Sequence, residues 1–366
     1  MEQEILWLWL AAGLGSGMNW MPLWERYHSI DAIWQDRTVL ADRGLLTHRQ
    51  AERLLAVSVE ALYRRQALQR EKETRILTWD SPDYPDQLRT VASPPIVLYA
   101  KGDVRLLQNQ LLIGVVGTRH PSNYGVEVTR AICDELAKAG AVLVSGLAEG
   151  LDSEAHKAAL RHDRPTVAVL GTDLERCFPA RNRQLQELIP HNGVLLSEYA
   201  CDEENINHKV SFVQRNRIIA GLCLGLCVAE ARLHSGTMST VRYALESDRD
   251  VFAVPGSIFS PLSEGTNQLL KQGAHPVTNA ADILHLYGVS PEKPQTVLRE
   301  AAALPDLTGD LLTVYSALPP AGKDIDMAAL CTAAGLSAGK VMAAVTRLEM
   351  RGLVRQKPGR RFEKAV

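Results

Sequence analysis

Between residues 111 and 278, six short apolar runs alternate with helical stretches, and no other feature constrains the fold as tightly. The runs are 111–116, 141–144, 166–170, 194–196, 224–229 and 251–254, with helical spacing at 126–138, 154–160 and 181–188 between them. A strand that is apolar at every position has both faces covered. Such strands separated by helices predict a parallel sheet between two helical layers. The expected fold class is α/β, with an extended Rossmann-like parallel sheet as its core. Sheets of this kind bind ligands at the loops leaving the carboxyl ends of their strands, so the chemistry is sought there.

The flanks read differently. Leu40, Leu45, Leu46, Leu54, Leu55 and Leu62 recur at helical spacing, which predicts a small helical N-terminal domain over 1–72. Its Gly13-Leu14-Gly15-Ser16-Gly17 run fits an ordinary turn in a bundle or a helix-hairpin-helix presenting N–H groups to a phosphate. All six tryptophans fall within the first 79 residues, suggesting a boundary near residue 80. Pro82, Pro85, Pro94 and Pro95 then punctuate an extended connector, since proline lacks the N–H that continues a helix or ladder. The core is expected over 73–288, followed by a linker at 289–308 that contains Pro291, Pro294 and Pro305. In 309–366, a helix at 326–334, a turn at 335–337, a helix at 340–351 and a hairpin at 353–362 predict a winged-helix domain.

Composition removes several classes. Forty basic and forty-two acidic residues give a formal charge of −2, which excludes a polycation or an acidic solvating chain but allows a local basic groove. The six cysteines (133, 177, 201, 223, 227 and 331) form no C-x-x-C pair, so neither a disulfide framework nor a zinc ribbon is expected. Cys223 and Cys227 read as buried small hydrophobes. The apolar run at 5–10 follows Glu2 and Glu4, the wrong charge for a signal peptide, and the run at 218–229 is too short for a membrane span. These features predict a soluble, cytoplasmic chain with no membrane contact.

Five loops carry candidate chemistry. The first is Gly114-Val-Val-Gly117-Thr118-Arg119, continuing to Ser122 and Gly125. It lacks the G-x-G-x-x-G dinucleotide fingerprint; its glycine would let an anion approach the next helix, and Arg119 suits a phosphate oxygen. In the second, Asp152 and His156 lie four apart, as an acid–base or metal pair or, as expected here, a helix cap and a histidine hydrogen-bonded to backbone within the fold. The third, 171–182, contains Phe178-Pro179 and reads as structural. In the fourth, Lys209, Arg215 and Arg217 surround Phe212, with no acid between Asn205 and Ala229. That strip suits phosphates on the cations and a base stacked on the ring. In the fifth, Ser235-Gly236-Thr237 opens a helix and forms an anion site by geometry.

In this order the loops resemble the DNA-processing protein A (DprA/Smf) family. The matching runs are Gly117-Thr118-Arg119 with Tyr124-Gly125, Ser145-Gly146-Leu-Ala-x-Gly150-Leu-Asp152-x-x-x-His156, Phe212-x-x-Arg215-Asn216-Arg217, Ser235-Gly236-Thr237, Val254-Pro255-Gly256 and Gly265-x-Asn267. The resemblance implies a homodimer that binds single-stranded DNA and loads RecA onto it in natural transformation, with no catalytic activity and no cofactor. It implies a strand-binding site at Arg119, Lys209 and Phe212. With the loop readings, the candidate set becomes Gly117, Thr118, Arg119, Ser122, Lys209, Phe212, Arg215, Arg217, Ser235, Gly236 and Thr237. Two departures stand out: Val213-Gln214 replaces a proline and a base before Arg215, and Cys177-Phe178-Pro179 stands where Tyr-Pro is common in the family.

Two other readings remain. A nucleotide phosphoribohydrolase on a similar scaffold carries G-G-x-G-T-x-x-E; Gly236-Thr237 aligns with it, but Thr240 stands at the catalytic glutamate, leaving no obvious base. A winged-helix duplex binder with a ligand-sensing core would lose DNA binding on deletion of 309–366, whereas a core-centred site would keep it.

Overall fold

The computed structural model describes residues 1–109, 111–203, 207–289, 307, 309–319, 324–350, 353–357 and 361–364. The chain forms two compact units, Met1–Pro291 and Glu292–Val366. Of the linker expected at 289–308, only 289 and 307 fall among the described residues.

The first unit is built on nine strands: β1 (Arg75–Thr78), β2 (Val97–Gly102), β3 (Leu112–Val116), β4 (Val142–Ser145), β5 (Thr166–Leu170), β6 (Val194–Ser197), β7 (Gly225–Val228), β8 (Asp250–Ala253) and β9 (His275–Pro276). They form one sheet in the order β1-β2-β6-β5-β4-β3-β7-β8-β9. The six expected strands are β3 to β8, and every pairing from β6 across to β9 is parallel. The parallel core is extended at one edge by an antiparallel pair: β2 runs against β6, and β1 against β2. The proline-punctuated connector thus leads into a strand, because Val97–Gly102 starts beyond its last proline.

Five helices precede the sheet: α1 (Gln3–Leu14), α2 (Met21–Tyr27), α3 (Ile30–Gln35), α4 (His48–Leu55) and α5 (Val59–Glu71). Within and after the sheet come α6 (Asn123–Lys138), α7 (Leu151–Arg161), α8 (Arg183–Asn192), α9 (His208–Leu222), α10 (Gly236–Glu246), α11 (Glu264–Lys271) and α12 (Ala281–Leu284). The period of two along β3 explains the layering. Ile113 and Val115 enter a core with Ile132 and Leu136 of α6 and Ala155 of α7. Leu112 and Val116 enter another with Ile218 and Leu222 of α9 and Val241 of α10. Both faces are covered, as strands apolar throughout require.

The second of these cores also takes in the N-terminal helices. Ile5, Leu6, Trp7, Leu8, Trp9 and Leu10 of α1 are at most 1% exposed, as a helix apolar on all sides must be. Trp20 packs edge-on to Trp7 at 5.6 Å and to Trp79 at 5.1 Å, and its Nε1 donates to Pro94 O at 2.9 Å. The indoles therefore join the helices to the connector and the sheet edge, where their uneven distribution had suggested a boundary. The expected division at residue 72 separates helix from sheet, while the hydrophobic core runs across it.

The second unit contains α13 (Asp310–Ala317), β10 (Ile325–Asp326), α14 (Met327–Ala334), α15 (Ala338–Met350), β11 (Val354–Lys357) and β12 (Arg361–Lys364). Its sheet has the order β10-β12-β11 and closes over Val314, Leu330, Val341, Leu348 and Phe362, giving a winged-helix domain. Gly335 ends α14 at φ +64°, where a side chain is disfavoured. From Lys340 onward the sequence holds eight basic and two acidic residues, and part of that excess is balanced internally: Arg361 pairs with Asp324 at 2.7 Å and Lys357 with Glu363 at 2.7 Å. All six cysteines are free thiols, with Cys133, Cys223 and Cys227 buried. Among the described residues, no single helix is long and apolar enough to cross a membrane.

Candidate nucleic-acid interface

Strands β3 and β7 are neighbours, yet the chain builds β4, β5 and β6 on the far side of β3 before returning to β7. Their carboxyl ends form the topological switch point, where a crevice opens between diverging loops. A groove of about 490 Å³ lies there, lined by Gly117, Thr118 and Arg119 after β3, Arg232, Ser235, Gly236 and Thr237 after β7, and Phe212 and Arg215 of α9. Eight of the eleven candidate residues therefore converge: Gly117, Thr118, Arg119, Phe212, Arg215, Ser235, Gly236 and Thr237.

Phe212 stands between two guanidinium groups, with Arg119 Cζ and Arg215 Cζ each 6.0 Å from its ring centroid. Arg119 is exposed and free to meet a ligand, whereas Arg215 is 5% exposed. Arg215 Nη1 donates to Gly146 O at 2.7 Å and to Val169 O, binding α9 to the ends of β4 and β5. Burial and, less strongly, the Arg119 charge lower its pKa to about 10 against the favourable field of Asp152, and at that value it stays charged at neutral pH. Burial also raises the Asp152 carboxyl, opposed by Arg215 and by the Gly146 N–H, which donates to Asp152 at 3.1 Å. Two glycines leave space for this arrangement. A Cβ on Gly146 would lie 2.6 Å from the Arg215 guanidinium, and one on Gly171 would lie 2.5 Å from the Phe212 ring.

The two helix N-termini at the crevice differ. That of α6 is occupied by the protein itself: Glu230 accepts from Ser122 N at 3.0 Å and from Ser122 Oγ at 2.5 Å, and Ser122 Oγ accepts from Gly125 N. The anion approach expected after Gly117 is filled by an internal carboxylate. That of α10 is open. Ser235 is its N-cap with no side-chain cap bond, and its Oγ is buried without a partner among the described residues. Thr237 Oγ1 donates to Gly117 O at 3.1 Å, tying the two loops together.

Three candidates are not brought to the groove. Ser122 is spent on capping α6 and on Glu230. Lys209 is exposed on the first turn of α9, outside the groove lining. Arg217 is buried and ion-paired with Glu198, because two residues along a helix turn a side chain to another face. The Asp152–His156 pair is also separated. His156 Nδ1 meets Thr166 Oγ1 at 2.7 Å, and that hydroxyl donates to Leu143 O, so the partner is a side chain rather than the expected backbone. Burial lowers the imidazole pKa to about 3.

Other groove residues stand outside the candidate set. Asp152, Asn216, Arg232 and Thr240 line the groove. Phe178, whose loop reads as structural in the sequence, lies 5.3 Å from Phe212 between centroids. The signal that finds Phe178 and Arg232 is position, since both follow the carboxyl ends of parallel strands. Gln214, a noted departure, accepts from Ser16 Oγ at 3.0 Å, and a Cβ on Gly17 would lie 2.8 Å from its Nε2. The glycine turn after α1 thus faces the core unit.

Fold and site together define a class: a Rossmann-like α/β protein with a cationic, aromatic crevice at its switch point and a winged-helix domain. Residues 75–288 match the family described as DNA recombination-mediator protein A, and 299–360 match the DprA winged helix domain. The chain belongs to the DNA recombination-mediator protein A (DprA/Smf) family. It is 36% identical to Protein Smf of Synechocystis over 80% of this chain and 81% of that protein. It is 39% identical to DNA processing protein DprA of Bacillus subtilis over 59% of this chain and 72% of that one. The X-ray structure of DprA from Streptococcus pneumoniae superposes with a TM-score of 0.68 at 33% identity, covering 76% of this chain and 95% of that chain. DNA processing protein A from Helicobacter pylori, whose structure concerns its single-stranded DNA binding mode, gives a TM-score of 0.52 at 34% identity, covering 59% of this chain and 95% of that one.

Proposed function

We propose that the chain binds single-stranded DNA in the switch-point groove and, as a homodimer in the cytoplasm, presents the strand to RecA during transformation and recombination. The observation that carries this reading is Phe212 held between the Arg119 and Arg215 guanidinium groups beside the open N-terminus of α10. An aromatic face takes a base of any identity, and cations and helix amides take the phosphates beside it. The Helicobacter relative's single-strand binding supports the ligand class. The reading is of binding rather than hydrolysis. Thr240 lines the groove where a phosphoribohydrolase would place its glutamate, and Asp152, the lining carboxylate, accepts the Gly146 N–H.

Titration of labelled single and double strands tests the proposal. Single-strand preference, steep salt dependence and weakened binding by Arg119→Ala, Lys209→Ala and Phe212→Ala are expected. Equal affinity for duplex, or Arg119 and Phe212 variants that bind normally, would overturn the site. RecA handover is read by RecA filament formation on protein-coated single strands with and without the chain, and the dimer by sedimentation.

A further inference from the structure

Beside the groove lies a second pocket of about 190 Å³, whose lining includes Arg119, Glu149, Phe178, Pro179, Phe212 and Arg215. Glu149 is the unexpected member. Among the described residues its carboxylate makes no ion pair or hydrogen bond, although the pocket holds two guanidinium groups. Its backbone is firmly placed. Leu147 sits at φ +55°, a left-handed conformation, and Asn182 Nδ2 donates to Leu147 O at 2.9 Å and Ala148 O at 3.2 Å. On its other side, a Cβ on Gly150 would lie 2.4 Å from Thr118 O, so the loop packs closely on the Arg119 loop.

A carboxylate here works against a phosphate, because like charges repel most where solvent is partly excluded. It favours a neutral group with N–H donors. The rings of Phe178 and Phe212 lie 5.3 Å apart at 39° and form a continuous apolar platform, with Phe178 54% exposed. A base stacked on that platform turns its hydrogen-bonding edge toward the pocket rim. Guanine alone among the four DNA bases carries two adjacent donors on its pairing edge, N1–H and the N2 amino group, matching the two oxygens of a carboxylate. Adenine and cytosine place a ring-nitrogen acceptor beside their amino group, and thymine flanks its single N–H with carbonyls. Those acceptors face the carboxylate unfavourably.

Building on the proposed strand-binding function, we infer that this pocket is a base-reading subsite selecting guanine, with Glu149 as its specificity-determining residue. The Phe178–Phe212 platform holds the base while the neighbouring groove takes the backbone.

Competition titrations with the full chain test this, using a homothymidine oligomer, the same oligomer with one central guanine, and the same with hypoxanthine, which lacks the N2 amino group. The guanine oligomer is expected to bind about tenfold tighter than homothymidine, with hypoxanthine between them. Glu149→Gln is expected to bring the ratio close to one, by weakening the guanine oligomer and tightening homothymidine, with an unchanged thermal unfolding temperature showing that the variant is folded. Equal wild-type affinity for guanine and homothymidine overturns the inference, as does a preference that survives Glu149→Gln. Failure to bind any oligomer overturns the proposed function, and the inference with it.

Discussion

Arg217 Nη2 lies 2.6 Å from Glu198 Oε1, with both side chains more than nine-tenths enclosed. Two residues earlier, Arg215 lines the groove; the two arginines of one motif thus have separate surroundings. Removing one partner of a buried pair leaves an uncompensated charge, so Arg217→Ala should lower stability by about 3–5 kcal/mol. The folded fraction should bind single strands normally. Urea denaturation followed by titration of the folded variant checks both, and Arg217→Met with Glu198→Leu should recover most of the stability.

At Phe212 the balance reverses. The ring is half-buried at the mouth of the groove, so Phe212→Ala should weaken single-strand binding by about 1–3 kcal/mol with a smaller effect on folding. Gly171→Ala should weaken binding with the ring still present, because the added Cβ falls 2.5 Å from it. Comparing affinity and thermal stability of the two variants separates loss of the platform from its displacement.

Salt titration distinguishes Arg119 from Lys209. Each phosphate contact on a single strand contributes roughly 0.7 to the slope of log affinity against log salt, so Arg119→Ala should reduce the slope by about that amount. Lys209→Ala should cost less affinity, since of these two cations Arg119 lines the groove beside the stacking ring and Lys209 does not.

Acid should weaken the fold through His156. Its folded pKa, lowered to about 3 by burial, lies below the unfolded value of about 6.5. The unfolded chain therefore binds the extra proton first. The stability from neutral His156 is fully present above pH 6.5 and is lost as pH falls toward 3, at up to about 1.4 kcal/mol per pH unit. Asp152, raised by burial, acts in the opposite sense as pH rises from 3.8. Denaturation of wild type and His156→Gln across this range isolates the histidine: the variant should lose less stability on acidification.

The parallel strands were readable because each is apolar throughout and separated from the next by a helix. The β1–β2 pair was not: Arg75–Thr78 and Val97–Gly102 join the edge antiparallel, without the intervening helix that marks the rest. At the site, Arg119, Phe212 and Ser235–Thr237 could be found because strand ends converge whatever the loops contain. Ser122 and Arg217 had the right chemistry, but Glu230 and Glu198 engage them, and those partners are remote in sequence. Glu149 and Phe178 carried no motif of their own, and only the third dimension sets them beside Phe212.

The tryptophan cluster makes a further prediction. Since Trp7, Trp20 and Trp79 share one core, a fragment beginning at residue 73 loses Trp7 and Trp20 and exposes Trp79 and the surface those two cover. It should unfold at a lower temperature than a fragment spanning 1–289 and aggregate more readily, as read by thermal scanning with light scattering.

The carboxylate at the start of α6 has a last consequence. β3 and β7 lie side by side, about 4.8 Å apart, and each delivers the chain toward a helix whose first amides face the crevice. Glu230 has already satisfied one of those ends. A phosphate displaced by one strand width would meet that negative group instead of open amides. For the proposed strand, register is then set by subtraction: the protein fills the neighbouring berth with its own anion and leaves the α10 berth open.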